Sequence, residues 1–273
     1  MTDHESHGRH EAGLAEVLDL DAEVVGHLDG LTRWAAGHAA SPPRAIVDVG
    51  AGTGTGTLAL ARRFEGARLV AVDASAAMLE HLESAALHHG VGDRVRAVRA
   101  DLDAEWPDVG AVDLAWAASS LHHVEDPDHV LAGLHAALVP TGLLVVVEMD
   151  GMPRFLPDDL GAGRPGLEHR VRAAMAREHW NAHPNWAGHL QRAGFAVLEE
   201  HTWTYELRPT TPAAHRYAHA VLSRVRSGLA DRLNADDLDT LDRLLGDDTP
   251  QSLLRRRDLV VRSTRTAWAA RRP

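Results

Sequence analysis

The stretch Ala45-Ile-Val-Asp-Val-Gly-Ala-Gly-Thr-Gly-Thr55 restricts the fold more than any other part of the chain. A short apolar strand over 45–49 breaks into a loop with Gly50, Gly52 and Gly54, and a helical pattern follows from Leu58 to Phe64. Glycines at alternate positions let the backbone turn sharply and lie flat against a ligand, where a Cβ would collide. The helix behind the loop points its free N–H groups and the positive end of its dipole at whatever the loop holds. Strand, glycine loop and helix in that order predict a parallel sheet that takes a nucleotide-like small molecule at its carboxyl edge.

Spacing separates two ligand classes. The dinucleotide fingerprint, Gly-x-Gly-x-x-Gly, needs its third glycine for close helix–strand packing. Counted from Gly50 that position is Thr55, and counted from Gly52 it is Thr57, so neither register fits. The pattern is instead Asp48-x-Gly50-x-Gly52-x-Gly54. It resembles the first motif of the class I S-adenosylmethionine-dependent methyltransferases, acid-x-Gly-x-Gly-x-Gly. The resemblance implies an α/β fold: a Rossmann-like, seven-stranded mixed sheet, mostly parallel with its last strand antiparallel, helices on both faces and a helical lid built from insertions. It also implies S-adenosylmethionine as donor and S-adenosylhomocysteine as product.

Downstream residues continue the resemblance. Asp73 lies nineteen residues beyond Gly54 and closes the second strand, where a carboxylate can accept both hydroxyls of a ribose; starting the helix before Ser75 would also suit it. After the third strand, the resemblance sets Asp101 at the adenine amino group and the backbone of Leu102 at a ring nitrogen, with Asp103 as the substitute if the register is displaced. Ala51, Thr53, Ala74 and Ala117 complete the cofactor set, and Met78 either lies against the adenine or fills the core.

Composition bounds the alternatives. The 273 residues suffice for one large α/β domain or two small ones, and 45% apolar content supports a substantial core. No apolar run approaches the about 18 residues of a membrane span. The segment Met1–His10 is polar and unlike a secretory signal, so a cytoplasmic protein is expected. With no cysteine there is neither disulfide nor thiolate–metal site, and a net charge of −11 argues against a nucleic-acid partner. The chain has no lysine; with its wealth of Ala, Gly, Arg and Asp this reads as a GC-rich coding bias, which also accounts for 19 histidines. A small-molecule acceptor, no membrane partner, and a monomer or homodimer are expected.

Along the chain, strand and helix alternate. Apolar spacing over 13–38 predicts one or two amphipathic helices, ended by Ser41-Pro-Pro43. Strands are expected at 45–49, 68–72, 94–99, 112–117 and 143–148. A helix opening at Asp126-Pro127 is read through Leu138 to a stop at Pro140-Thr-Gly142. Such alternation implies a parallel sheet covered on both faces. Beyond it come helical insertions at 151–190 and 208–255 and two hairpin strands at 195–206 and 258–271. One domain over 1–273 is expected, with a cofactor core at 45–150, lid helices at 1–40 and insertions near the acceptor site.

The chemistry is expected at the ends of strands four and five. Leu121-His-His-Val-Glu-Asp-Pro127 resembles the loop after strand four in many small-molecule methyltransferases, where His122 falls at the position of a general base. Methyl transfer from a sulfonium is an in-line displacement that gains mostly from alignment, and a base is needed only for an acceptor that arrives protonated. Otherwise His122 shapes the donor pocket and His123 caps a loop or meets the acceptor. Glu148 and Asp150 end strand five, where they orient an acceptor or bond to the following loop. Their spacing with the histidines matches no metal-ligand set, so no metal is expected. Arg154, His179, Trp180, His183, Trp186, Trp203 and Tyr205 are the acceptor-pocket candidates in the insertions, where packing a helical cap is the competing role.

The expected function is methyl transfer to a small organic molecule at O, N or C, in bacterial specialised metabolism. The alternative is a non-transfer reaction, such as a cyclisation, on the same cofactor-binding fold. A nicotinamide oxidoreductase is disfavoured by the glycine register. The Asn- or Asp-Pro-Pro-aromatic motif of base-methylating DNA enzymes is missing after strand four.

Overall fold

A computed structural model describes residues 3–180, 182–208, 211–247 and 249–273. Its elements run α1 (Asp3–Val25), α2 (His27–His38), β1 (Ala45–Val49), α3 (Thr55–Arg63), β2 (Arg68–Asp73), α4 (Ala76–His88), β3 (Val95–Arg99) and β4 (Val112–Ala118). They continue as α5 (Pro127–Ala137), β5 (Leu138–Met149), α6 (Leu167–Arg177), α7 (Trp186–Arg192), β6 (Ala196–Leu207), α8 (Pro212–Gly228), α9 (Ala235–Leu245) and β7 (Val261–Arg271). Among the described residues, seven strands form one sheet in the order β3-β2-β1-β4-β5-β7-β6.

The first five strands in this order pair parallel. β7 runs antiparallel to β5, as the hydrogen bonds from Thr141 N to Arg272 O and from Asp150 N to Thr264 O require. This is the mixed sheet that the sequence leads one to expect. β1 and β4 are central and almost wholly buried, so they read as unbroken apolar runs. At the β3 edge, Arg96 and Arg99 sit among partly buried residues. Strand order reverses between β1 and β4, because β2 and β3 lie on one side of β1 while β4 and β5 lie on the other. The crevice at such a reversal, beyond the carboxyl ends of the strands, is where open α/β sheets receive ligands.

The chain packs as two compact units. One holds the chain up to Gly26, Met149–Ala182 and Trp203–Thr264; the other holds His27–Glu148, His183–Thr202 and Arg265–Pro273. In the first unit, α1 packs along α8, and the core gathers Leu20, Phe155, Val171, Tyr217 and Val221. The Tyr217 hydroxyl donates to the buried Asp21 carboxylate at 2.5 Å, which pins the two helices at a polar point inside that core. In the second unit, Val47, Ala115, Leu131, Val146, Trp186 and Trp268 form the core. There α2 lies along α3, with the Asp29 carboxylate receiving Arg63.

Helix boundaries follow capping chemistry. Asp126 accepts from His129 N at 3.0 Å with Pro127 in the first turn, and Asn234 accepts from Asp237 N at 2.9 Å. The two N-terminal helices part at Gly26, whose φ of 64 suits glycine. One boundary departs from the sequence reading. Leu138 opens β5 instead of extending α5, because it pairs with Val112 while Leu143 pairs with Leu114. Pro140, Thr141 and Gly142 bulge within that strand, and Thr141 takes a φ of 65. None of the described helices is long and apolar enough to cross a membrane.

Candidate active site

The candidate residues of the second unit gather at the carboxyl ends of the parallel strands. The loop after β1 has Gly50, Gly52 and Gly54 at φ 68, 54 and 87. Two of these glycines admit other parts of the chain. A Cβ at 50 would lie 2.3 Å from Ser120 Cβ, in the loop after β4, and a Cβ at 54 would lie 2.5 Å from Leu82 Cγ on α4. Gly50 therefore lets the β1 and β4 loops close on each other, and Gly54 lets α4 approach the head of α3. Gly50→Ala is expected to cost about 2–4 kcal/mol, combining left-handed backbone strain with displacement of Ser120. Urea unfolding checks this, and a loss under about 1 kcal/mol would show that the Ser120 loop yields freely.

Asp48 lies beneath the loop at 2% exposure and accepts the Thr57 hydroxyl at 2.6 Å. Burial pushes its carboxyl up to about 7 against the opposing effect of the Thr57 bond, and Asp73 nearby adds to the rise. Asp73, at the end of β2, accepts Gly52 N through Oδ2 and Ser75 N through Oδ1, each at 2.9 Å. One carboxylate thus ties the glycine loop to the start of α4, and each oxygen keeps a further lone pair. Ala100 N donates to Asp73 O at 3.1 Å, which brings the Asp101 turn beside the β2 end. Asp101 is exposed and Leu102 partly buried, whereas Asp103 is spent on Glu125 N at 2.7 Å. Met78 is buried at 6% exposure, and Ala117 is wholly buried on β4.

His122 and Glu148 meet. His122 sits in a short 3-10 turn, Leu121–His123, after β4, and Glu148 lies next to last on β5. Pairing of those strands brings His122 Nδ1 within 2.8 Å of Glu148 Oε2; the side chains are 5% and 0% exposed. With Glu148 as a carboxylate, which can only accept, Nδ1 carries the hydrogen of this bond, and in the neutral form of the ring Nε2 keeps a lone pair. His122 Nε2 and Glu148 Oε1 are buried without a hydrogen-bond partner, as are Ser120 Oγ and Thr53 Oγ1. Buried polar atoms are normally paired, so four open ones on the loops after β1 and β4 and the end of β5 mark a place able to receive polar groups. His123 lies against His122 with ring centroids 4.0 Å apart and planes tilted by 44°, and partial burial together with His122 lowers its pKa.

The acceptor-pocket candidates divide between the units. Arg154 and Tyr205 line one cavity of the first unit. Trp180 lies against Gly228, where a Cβ would meet its ring at 2.3 Å, and it joins the apolar core there with Tyr205. Trp203 and Tyr205 share the partly buried face of β6. His179 holds a φ of 55. In the second unit, His183 Nδ1 donates to Pro184 O at 2.9 Å, with its ring edge-on to Trp268, while Trp186 is core. Asp150 N donates to Thr264 O. Ser120 and the pairing of His122 with Glu148 went unread in the sequence, as did Glu168, Arg172 and Arg262 around the Arg154 cavity.

Residues 46–142 match the family model of the methyltransferase domain. A trans-aconitate 2-methyltransferase of Paracidovorax citrulli is 38% identical over 105 residues, which is 37% of this chain and 37% of that protein. The chain spans about a quarter to three fifths of the length of the curated relatives it matches. Among solved structures, a candidate sarcosine dimethylglycine methyltransferase from Galdieria sulphuraria aligns with TM-score 0.53 and 15% identity, over 89% of this chain and 84% of that one. The [4+2]-cyclase SpnF aligns with TM-score 0.50 and 22% identity, over 90% of this chain and 81% of the other. These two likenesses establish the fold.

Proposed function

We propose that this chain, whose residues 46–142 match a methyltransferase domain, is a class I S-adenosylmethionine-dependent methyltransferase that acts on a small organic acceptor and uses His122 as general base. The observation that carries the reading is the buried His122–Glu148 pair with its open Nε2, set at the strand-order reversal beside the glycine loop.

The residues present fit the donor. Asp73 and Asp101 offer carboxylates at adjoining strand ends, suited to ribose hydroxyls and an adenine amino group. The glycine loop and the head of α3 offer backbone N–H groups and a positive dipole to an amino-acid carboxylate. Thr53 and Ser120 supply hydroxyls that lack partners. When bound, S-adenosylmethionine supplies an electrophilic methyl group on a sulfonium.

The chain's own part is alignment and proton handling. Glu148 fixes the imidazole ring and its tautomer, so that Nε2 stands ready to take a proton from an acceptor hydroxyl, acid or ammonium. As the proton arrives, the imidazolium forms beside a buried carboxylate, and their attraction lowers the energy of that state. Burial of both side chains keeps bulk water from competing for the base. Asp73→Ala is expected to weaken binding of the donor at least about tenfold by losing charge-assisted hydrogen bonds. An unchanged dissociation constant would remove Asp73 from the ribose role.

The functional test is incubation with methyl-labelled donor and an extract of the producing cell, followed by mass spectrometry. One labelled small molecule, absent with His122→Ala, is the expected result. Binding of the donor with no S-adenosylhomocysteine released on any acceptor would favour the non-transfer alternative, whose fold SpnF shares. Cytoplasmic location, a place in specialised metabolism and a monomeric or dimeric state belong to this same proposal.

A further inference from the structure

The first unit contains a cavity of about 310 Å³ that adjoins a smaller one, and Arg154, Arg172 and Arg262 line both. Two of the arginines are forced together by the backbone. Arg154 and Arg262 form an isolated antiparallel bridge, with N-to-O distances of 2.9 and 2.8 Å in the two directions. Such a pair projects both side chains on the same side of the strands, and like charges placed so are destabilising unless something between them is negative. Arg172, on α6, brings a third guanidinium to the same space.

The chain's own carboxylates answer this charge only in part, with Asp150 and Glu206 lining the smaller cavity and Asp158 and Glu168 the larger. Glu206 is 56% exposed and stands 3.6 Å from Arg262 Nε. Among the described residues no ion pair within 4 Å engages Arg154 or Arg172. Glu168 also lines the cavity, but its Oε1 accepts Phe155 N at 2.6 Å, and burial pushes its carboxyl up to about 7, so near neutrality it carries only part of a charge. Asp158 faces Arg170 as well as the cavity, and His169 adds a further group able to carry positive charge.

We propose that this cavity binds a small molecule through a carboxylate or phosphate group, held by the forks of Arg154, Arg172 and Arg262. Planar guanidinium forks match both oxyanions bidentately, and the volume suits a small metabolite and not a larger chain. The assignment stands independently of methyl transfer, since every residue in it lies in the first unit and none belongs to the cofactor set.

Calorimetric titration of the full chain tests it, at constant ionic strength, with tricarballylate, with glycerol 3-phosphate and with glycerol as the uncharged control. Saturable binding of one anion and none of glycerol is expected, and the preferred anion identifies the chemistry. Arg154→Ala and Arg172→Ala should each weaken binding about tenfold or more, and Arg172→Gln, which keeps the side chain's reach, should do the same. Circular dichroism verifies that these exposed positions leave the fold intact. Excess S-adenosylhomocysteine should not compete. Failure of both anions to bind saturably, affinity that survives the arginine changes, or competition by S-adenosylhomocysteine would each overturn the proposal.

Discussion

His122→Ala is expected to lower kcat by about 10²–10⁴-fold while leaving the affinity for S-adenosylhomocysteine within about a factor of three. The loss follows from geometry. Nε2 is the open atom of a ring whose other nitrogen is held 2.8 Å from a fully buried carboxylate. Removing the ring removes the proton acceptor but leaves the glycine loop, Asp73 and Asp101 in place. Glu148→Gln separates positioning from base chemistry: the ring remains, but the charge that stabilises the imidazolium is gone, and turnover should fall about 10²-fold or more. Steady-state kinetics on both variants, with calorimetry for the affinity, provide the check. If His122→Ala weakened S-adenosylhomocysteine binding by well over about threefold while kcat at saturating donor survived, His122 would belong to the donor pocket. If both variants turned over like the parent, the acceptor would need no base.

Asp48→Asn is expected to change the pH dependence of stability. In the folded chain the Asp48 carboxyl is pushed up to about 7 by burial, against 3.8 in its ordinary state. Below about pH 4 both folded and unfolded forms hold the proton. Between about 4 and 7 the folded form holds a proton that the unfolded form has released, so stability falls as pH rises through this window and levels off above it. The span corresponds to about 4 kcal/mol at 2% exposure. Asparagine cannot ionise and can still accept the Thr57 hydroxyl. Relative to the parent, the variant should therefore gain up to ~4 kcal/mol between pH 4 and pH 8 in urea unfolding. Glu168, also raised by burial to about 7, acts with the same sign in both proteins and cancels in the difference. Parallel stability curves would show that Asp48 ionises as an ordinary carboxylate.

Local signals in the chain foretold local structure. Asp126-Pro127 marked a helix start because an N-cap carboxylate and a proline act within one turn, and Gly50, Gly52 and Gly54 take the positive φ that only their type adopts freely. The end of α5 was misread because Leu138 keeps the apolar spacing of Val130, Leu131 and Leu134, and only its partner Val112 on β4 decides that it is a strand residue. His122 and Glu148 were each visible as candidates, yet their pairing depends on two strands lying side by side, which a separation of 26 residues does not reveal. The contact of Gly50 with Ser120 was hidden in the same way. A missing Cβ signals close approach without naming what approaches. The arginine cavity was least legible, since Arg154 and Arg262 meet only through a single bridge between distant segments.

Calorimetric titration of the full chain with S-adenosylhomocysteine tests the central claim most directly, with NADH as the comparison ligand. Saturable binding of S-adenosylhomocysteine, weakened by Asp73→Ala, with no response to NADH, is the result expected of a glycine loop, an Asp73 bridge and four open polar atoms at the strand reversal. Tight binding of NADH with none of S-adenosylhomocysteine would contradict it.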